Sequence, residues 1–219
     1  MSARRAARAV LSFALLALAA SRAGAALPEG ELSAGHPCLF EDEAFAPLHI
    51  ENGVDVGLSR LEGGTIVLRA RASLDAPLPR VAALLEDVAR WPGWIGRLRS
   101  LERLPGETAA YHAFFRAPWP LADREYAFRP AIARRPNGML VFWEDASARL
   151  PAPTAGRVRV SPVRGCFAVR AGTSENVSAF VYTETDSFAA GLPEWMRRPG
   201  WRRGPVRLVD GLRARLREN

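Results

Sequence analysis

Lysine is missing altogether: every one of the thirty basic residues is arginine. Arginine suits phosphate recognition, but a nucleotide-composition bias in the source genome explains the pattern more simply. Long hydrophobic runs are missing too. The longest, Ala9 to Ala20, falls short of the roughly 20 residues needed to span a bilayer. Histidine is scarce, and His36, His49 and His112 show no metal-ligand spacing. They read as surface or packed side chains, and no metal site is indicated. The chain contains no G-x-S-x-G, no cysteine–histidine arrangement and no glycine-rich phosphate loop, so the common signatures of acyl and phosphoryl transfer are absent. No internal repeat or low-complexity tract interrupts it, and no cofactor is expected.

What the first residues contain is an address. Arg4, Arg5 and Arg8 precede the short apolar run, and Ala23-Gly24-Ala25 has the small-x-small character of a cleavage site. Residues 1–25 therefore read as a signal peptide, with an uncleaved anchor as the alternative, and an exported, periplasmic or secreted protein is expected. Removing them changes the electrostatics. The formal charge of +7 falls to +3, since 26 arginines then face 23 acidic residues, which weakens any case for nucleic acid. In an oxidising compartment Cys38 and Cys166 are able to pair, and closing so long a loop would stabilise by up to about 5 kcal/mol. Nothing in the sequence places them within reach of each other, so free thiols remain the equal alternative.

Of the mature chain's 219-residue parent, residues 26–52 are acidic and turn-rich without a period, and read as a linker or loosely packed segment. One domain is expected over 53–219. Val54 to Ser59 and Thr65 to Leu74 alternate as two strands around Gly63-Gly64. Val81, Leu84, Leu85 and Val88 recur at helical spacing up to Pro92-Gly93. Leu98, Leu101 and Leu104 suggest a bent element. Six strands follow: Tyr111 to Phe115, Glu125 to Ala133, Met139 to Ala148, Arg157 to Val160, Cys166 to Ala171 and Val177 to Thr185. Their short connections favour antiparallel neighbours. A closing helix starts near Pro193, is interrupted at Pro199-Gly200 and Gly204-Pro205, and resumes from Val206 to Leu216.

This order predicts an α+β protein whose curved antiparallel sheet grips a long C-terminal helix. A helix laid across the concave face encloses a space lined by alternate strand residues. Candidate inward residues are Phe114, Tyr126, Phe128, Phe142, Phe167, Phe180 and Tyr182. Alternating aromatics fill a solid core equally well, and parity alone does not say which face is concave.

The stretch Pro118-Trp119-Pro120-Leu121, followed by Asp123-Arg124-Glu125, resembles the PWP signature of START domains, the steroidogenic acute regulatory protein-related lipid transfer family. Trp94 after the first helix, Thr108-Ala109-Ala110-Tyr111 opening a strand and Arg157-Val158-Arg159-Val160 in a later one extend the likeness. Asp186 to Met196 is similar to the family's entry into its closing helix, although Glu125 replaces the usual aspartate and Phe188-Ala189-Ala190 lacks a glycine pair. The resemblance implies a helix-grip fold of the Bet v 1-like superfamily with a hydrophobic cavity for one lipid. The function it implies is lipid binding and transport between membranes rather than catalysis.

The ligand-contacting set expected on that basis adds Trp119, Leu192, Trp195 and Met196 to the inward aromatics, with Arg129, Glu144 or Arg159 orienting a hydroxyl or carbonyl. Arg124 and Glu125, as neighbours on a strand, point to opposite faces and each needs its own ion-pair partner; a structural role is expected for both. The alternative is a cyclase or hydrolase using the same pocket, with His112 and Glu144 as acid and base, as in aromatase/cyclase relatives. A module with a filled core is the third reading. From Arg197 onward eight arginines face only Asp210 and Glu218, with Trp195 and Trp201 in or beside the run, so transient contact with a membrane surface is expected. A monomer is expected.

Overall fold

The computed structural model describes residues 36–218, apart from 107–109, 120 and 188–190; the signal-peptide reading and the Phe188-Ala189-Ala190 departure lie outside them. The sheet begins earlier than the sequence suggests. Strand β1 (Ala46–Glu51) pairs with β2 (Val54–Arg60) across Asn52-Gly53, whose positive φ angles of 52° and 68° make the tight hairpin turn that an Asn-Gly pair favours. This corrects the linker reading of residues 26–52 over its described part. His36 is fully buried, with its Nε2–H donating to the Trp143 carbonyl (3.2 Å) and its Nδ1 accepting from the Cys38 amide (3.2 Å). Burial lowers the pKa of that ring, in keeping with the neutral tautomer. A disulfide joins Cys38 to Cys166, with Cα atoms 6.1 Å apart. Arg69 stacks on Phe45 and reaches Asp42 at 2.8 Å.

β3 (Ile66–Leu74) leads to α1 (Leu78–Glu86), which opens on Pro77 and Pro79 and buries Val81 and Leu85. A 3₁₀ turn, Val88–Gly93, buries Trp91. The element expected to be bent is edge strand β4 (Leu98–Arg103), paired with β5 (Tyr111–Phe115). Its register slips between Leu98 and Ser100, and one extra residue turns a spacing of three back onto one face. Leu98 and Leu101 consequently both pack on the core.

β6 (Asp123–Arg135), β7 (Gly138–Asp145), β9 (Gly165–Ala171) and β10 (Ser178–Thr185) complete the order β1-β2-β3-β10-β9-β7-β6-β5-β4, antiparallel throughout. The expected antiparallel meander fails at β8 (Arg157–Arg159), which lies parallel to β6. Residues 146–156 form no hairpin turn, and a connection of that length lets the chain double back before pairing.

The final helix α2 (Glu194–Glu218) runs unbroken through Pro199 and Pro205, where two interruptions were expected. Each proline removes one backbone bond, at a cost of about 3 kcal/mol in a helix interior. Burial of Trp201, Pro205, Val206, Val209, Leu212 and Leu216 offsets that loss. A Cβ on Gly211 would stand 2.1 Å from the Trp94 carbonyl oxygen, so a side-chain-free position lets α2 press directly on the turn after α1.

Candidate ligand cavity

Between the concave face of the sheet and the first half of α2 lies a cavity of about 750 Å³, within the range of small-molecule sites. Leu68, Phe115, Tyr126, Phe128, Trp143, Phe167 and Tyr182 form its sheet wall; Met196, Trp201, Pro205 and Leu208 form its helix wall. Trp91, Ile95, Leu98, Pro118, Leu121 and Leu192 close it from the connections. The aromatics brace one another: Trp91 stacks on Phe128 at 5.8 Å and meets Phe167 edge-on at 5.2 Å. The interior is therefore walled by apolar side chains and not filled by them.

Of the residues expected to touch a ligand, Tyr126, Phe128, Phe167, Leu192 and Met196 line this space. Phe180 is buried behind Phe167, stacked at 5.8 Å. The others are elsewhere, and the reasons are physical. Phe114 points to the convex face under the Arg157 guanidinium, 3.8 Å from its centroid. Phe142 lies beside its strand partner Cys166 and meets the His36 ring edge-on at 6.0 Å. The N-terminal segment thus buries the convex face of β7, so both parities of that strand are apolar and parity selects the wrong one. Trp119 and Trp195 are 92% and 74% exposed. Arg129 and Glu144 are cross-strand partners outside the cavity, and Glu144 pairs with Arg164 at 2.9 Å.

Arg159 also lies on the convex face, donating to Glu125 at 2.6 Å. Glu125, 0% exposed, gathers Arg159, Arg157 (3.7 Å), His112 (3.4 Å) and the Thr154 amide (3.3 Å) around one carboxylate. Burial alone would raise its pKa, but the Arg159 and Thr154 hydrogen bonds outweigh it and the net shift is downward. His112 therefore faces Glu125 and not Glu144, beside a separate polar pocket of about 280 Å³. Arg124, on the opposite face from Glu125, lines the main cavity and donates Nη1–H to the Ala122 carbonyl. Its pKa is lowered by burial, against the pull of Asp123.

Sequence reasoning missed the polar side of the cavity. Glu184 shares the parity of Phe180 and Tyr182, and a carboxylate on an otherwise aromatic strand face was the signal for it. Its carboxyl accepts the Tyr182 O–H, and its accessible surface opens on the cavity. Burial, with Asp186 adding a like charge, pushes its pKa up to about 8. Burial likewise raises the Tyr126 hydroxyl well above its usual value, helped by the charge of Glu184. Asp186 is held by Arg197 at 2.8 Å and by the Trp201 indole N–H. At the rim Arg97, Arg99, Arg116, Arg203 and Arg207 are exposed and form no ion pair with an acidic residue among those described. The pKa of Arg97 is lowered by burial and by Arg207.

Solved structures share this fold. The chain superposes on a STAR-related lipid transfer protein from Xanthomonas axonopodis with a TM-score of 0.65 at 19% identity, over 80% of this chain and 99% of that one. The human StAR-related lipid transfer protein 5 gives 0.70 at 13%, over 81% and 88%. The fold is START-like. Human STARD10 gives 0.68 at 14%, over 83% and 76%, and an aromatase/cyclase from a Streptomyces species gives 0.50 at 14%, over 69% and 93%. No protein-family model and no curated protein matches the sequence. In this START-like chain the grip of the sheet on α2 is what creates the cavity, and the described residues include no helix long and apolar enough to cross a membrane.

Proposed function

We propose that this protein is exported, works as a monomer, and holds a single lipid or other hydrophobic molecule in the cavity between its sheet and α2, carrying it between membranes without chemical change. The observation behind this reading is the cavity itself, about 750 Å³ walled by aromatic and aliphatic side chains. Removing a lipid tail from water into such a space is favourable by about 25 cal/mol per Å² of apolar surface. The solved structures that share the fold include proteins described as lipid transfer proteins. A cyclase or hydrolase built on His112 and Glu144 is not favoured, because neither residue lines the cavity.

The membrane contact is assigned to the rim of the cavity. There Arg97, Arg99, Arg116, Arg203 and Arg207 lie beside the exposed rings of Trp119 and Trp195, the chain neighbours of lining residues Pro118 and Met196. Basic side chains with interfacial tryptophans suit an anionic bilayer surface. The decisive experiment is purification from the native compartment followed by solvent extraction and mass spectrometry. One lipid class in near-stoichiometric amount is expected, and an extract containing none would remove the reading.

A further inference from the structure

One row of three residues crosses the cavity wall in an unusual way. Gly165 on β9 is the strand partner of Trp143 on β7 and, on its other side, of Glu184 on β10. A Cβ on Gly165 would lie 2.5 Å from Cζ2 and 2.9 Å from Cε2 of Trp143. The Cζ2–Cε2 edge of the indole therefore occupies the space a side chain on Gly165 would need, and Cε2 is the carbon bonded to Nε1. The missing side chain brings the N–H edge of the ring over the strand that separates Trp143 from Glu184, with neighbouring strands about 4.8 Å apart.

Trp143 is 4% exposed, and its Nε1–H has no hydrogen-bond partner among the described residues. A buried indole N–H normally has one. Glu184 accepts the Tyr182 O–H on Oε2, while Oε1 has no hydrogen bond among the described residues. Resting on the lipid-binding reading above, we infer that Trp143, Glu184 and Tyr182 form a hydrogen-bonding subsite for an uncharged oxygen function of the ligand, a hydroxyl or a carbonyl, with Gly165 as the spacer that makes room for it.

The chemistry narrows the class. A carboxylate would set its charge beside Asp186, whose like charge already acts on Glu184. An ammonium group would meet the Trp143 N–H as a second donor, would have to ionise a Glu184 carboxyl that burial favours as neutral, and would enter past the rim arginines. A hydroxyl accepts from Nε1–H and donates to the carboxyl; a carbonyl accepts from Nε1–H and from the carboxyl in its neutral form. A pure hydrocarbon leaves both groups unpaired.

The test uses the delipidated full chain and five probes with a common twelve-carbon chain: dodecane, 1-dodecanol, 2-dodecanone, dodecanoate and dodecylamine. Each displaces an environment-sensitive naphthalene dye at neutral pH. Dodecanol and dodecanone should bind about tenfold more tightly than dodecane, the value of one or two well-made hydrogen bonds, and both charged chains more weakly than dodecanol. Trp143→Phe and Glu184→Leu should remove most of the preference for dodecanol over dodecane, read as the ratio of the two affinities because both residues line the cavity, and a far-UV circular dichroism spectrum matching wild type shows that the variants fold. Glu184→Gln, which keeps a donor and an acceptor, should retain it. If all five chains bind alike, or if Trp143→Phe and Glu184→Leu keep the wild-type preference, this assignment is overturned and lipid binding stands. If none displaces the dye, the lipid-binding reading goes and this assignment with it.

Discussion

Glu184 sits where a carboxyl group is least comfortable, on a strand face otherwise given to Phe180 and Tyr182, with Tyr126 and Asp186 as its titratable neighbours. Its pKa rises from an ordinary 4.5 to about 8 because burial disfavours the charged form, with Asp186 adding to the effect. The neutral form is thus the one the fold prefers. The stabilisation is complete below about pH 4.5 and is lost as pH climbs through 8. Glu184→Gln should remain neutral throughout, so denaturant unfolding at pH 5 should barely separate it from wild type. At pH 9 it should be the more stable by on the order of 2 kcal/mol. Equal pH slopes for the two proteins would refute the assignment. Tyr126, Phe128 and Phe167 could be read from alternation as cavity residues, because the opposite parity of their strands carries no aromatic side chain. Phe142 misled because a disulfide and a buried histidine make the other face of β7 apolar as well, and nothing local to β7 announces that covering.

At the scale of elements, the sequence showed most strands and both helices but not how they are tied. Asn52-Gly53 carried a hairpin signal that the acidic, aperiodic residues before it obscured. The bulge in β4 disguised a strand as something bent, because one extra residue shifts the leucine spacing from two to three. In α2 the local cost of two prolines pointed to breaks, and long-range burial against the sheet overrode it. The tie between Cys38 and Cys166 spans 128 residues of chain. Replacing both by serine should lower stability by about 2–4 kcal/mol, read from urea midpoints. A midpoint unmoved by the double substitution would mean that Arg69, Asp42 and His36 hold the segment unaided. Gly211→Ala should cost about 1–3 kcal/mol through overpacking against the Trp94 carbonyl, visible as a lower melting temperature with unchanged secondary structure. A variant as stable as the parent would show that α2 is free to stand off from the turn.

For the molecule as a whole, six of the eight C-terminal arginines read as one basic surface in the sequence divide into two populations. Arg197 pairs with Asp186, Arg198 with Glu194 and Arg215 with Glu218, while Arg213 donates to the carbonyls of Asn52 and Ser73. These fasten α2. Arg203 and Arg207 instead join Arg97, Arg99 and Arg116 at the rim, an assembly from distant segments that no linear charge count reveals. Sedimentation with vesicles containing anionic lipid should therefore be strong at low salt and fall as ionic strength rises. Trp119→Ala combined with Trp195→Ala should weaken it severalfold without changing stability, since both rings stand in solvent. Binding to neutral vesicles as tight as to anionic ones would exclude the electrostatic contact.

The two prolines of α2 also divide it mechanically. Both lie in the half that roofs the cavity, where Pro199, Pro205, Met196 and Leu208 border the space, whereas Val209, Leu212 and Leu216 hold the other half to the sheet. The rod behaves as two springs in series, the one over the cavity missing two of its rungs and the other bolted down at Gly211. Bending energy placed in such a rod collects in the weaker spring. Deuterium uptake should accordingly be faster between Met196 and Leu208 than beyond Val209, and an occupant of the cavity should slow it there first.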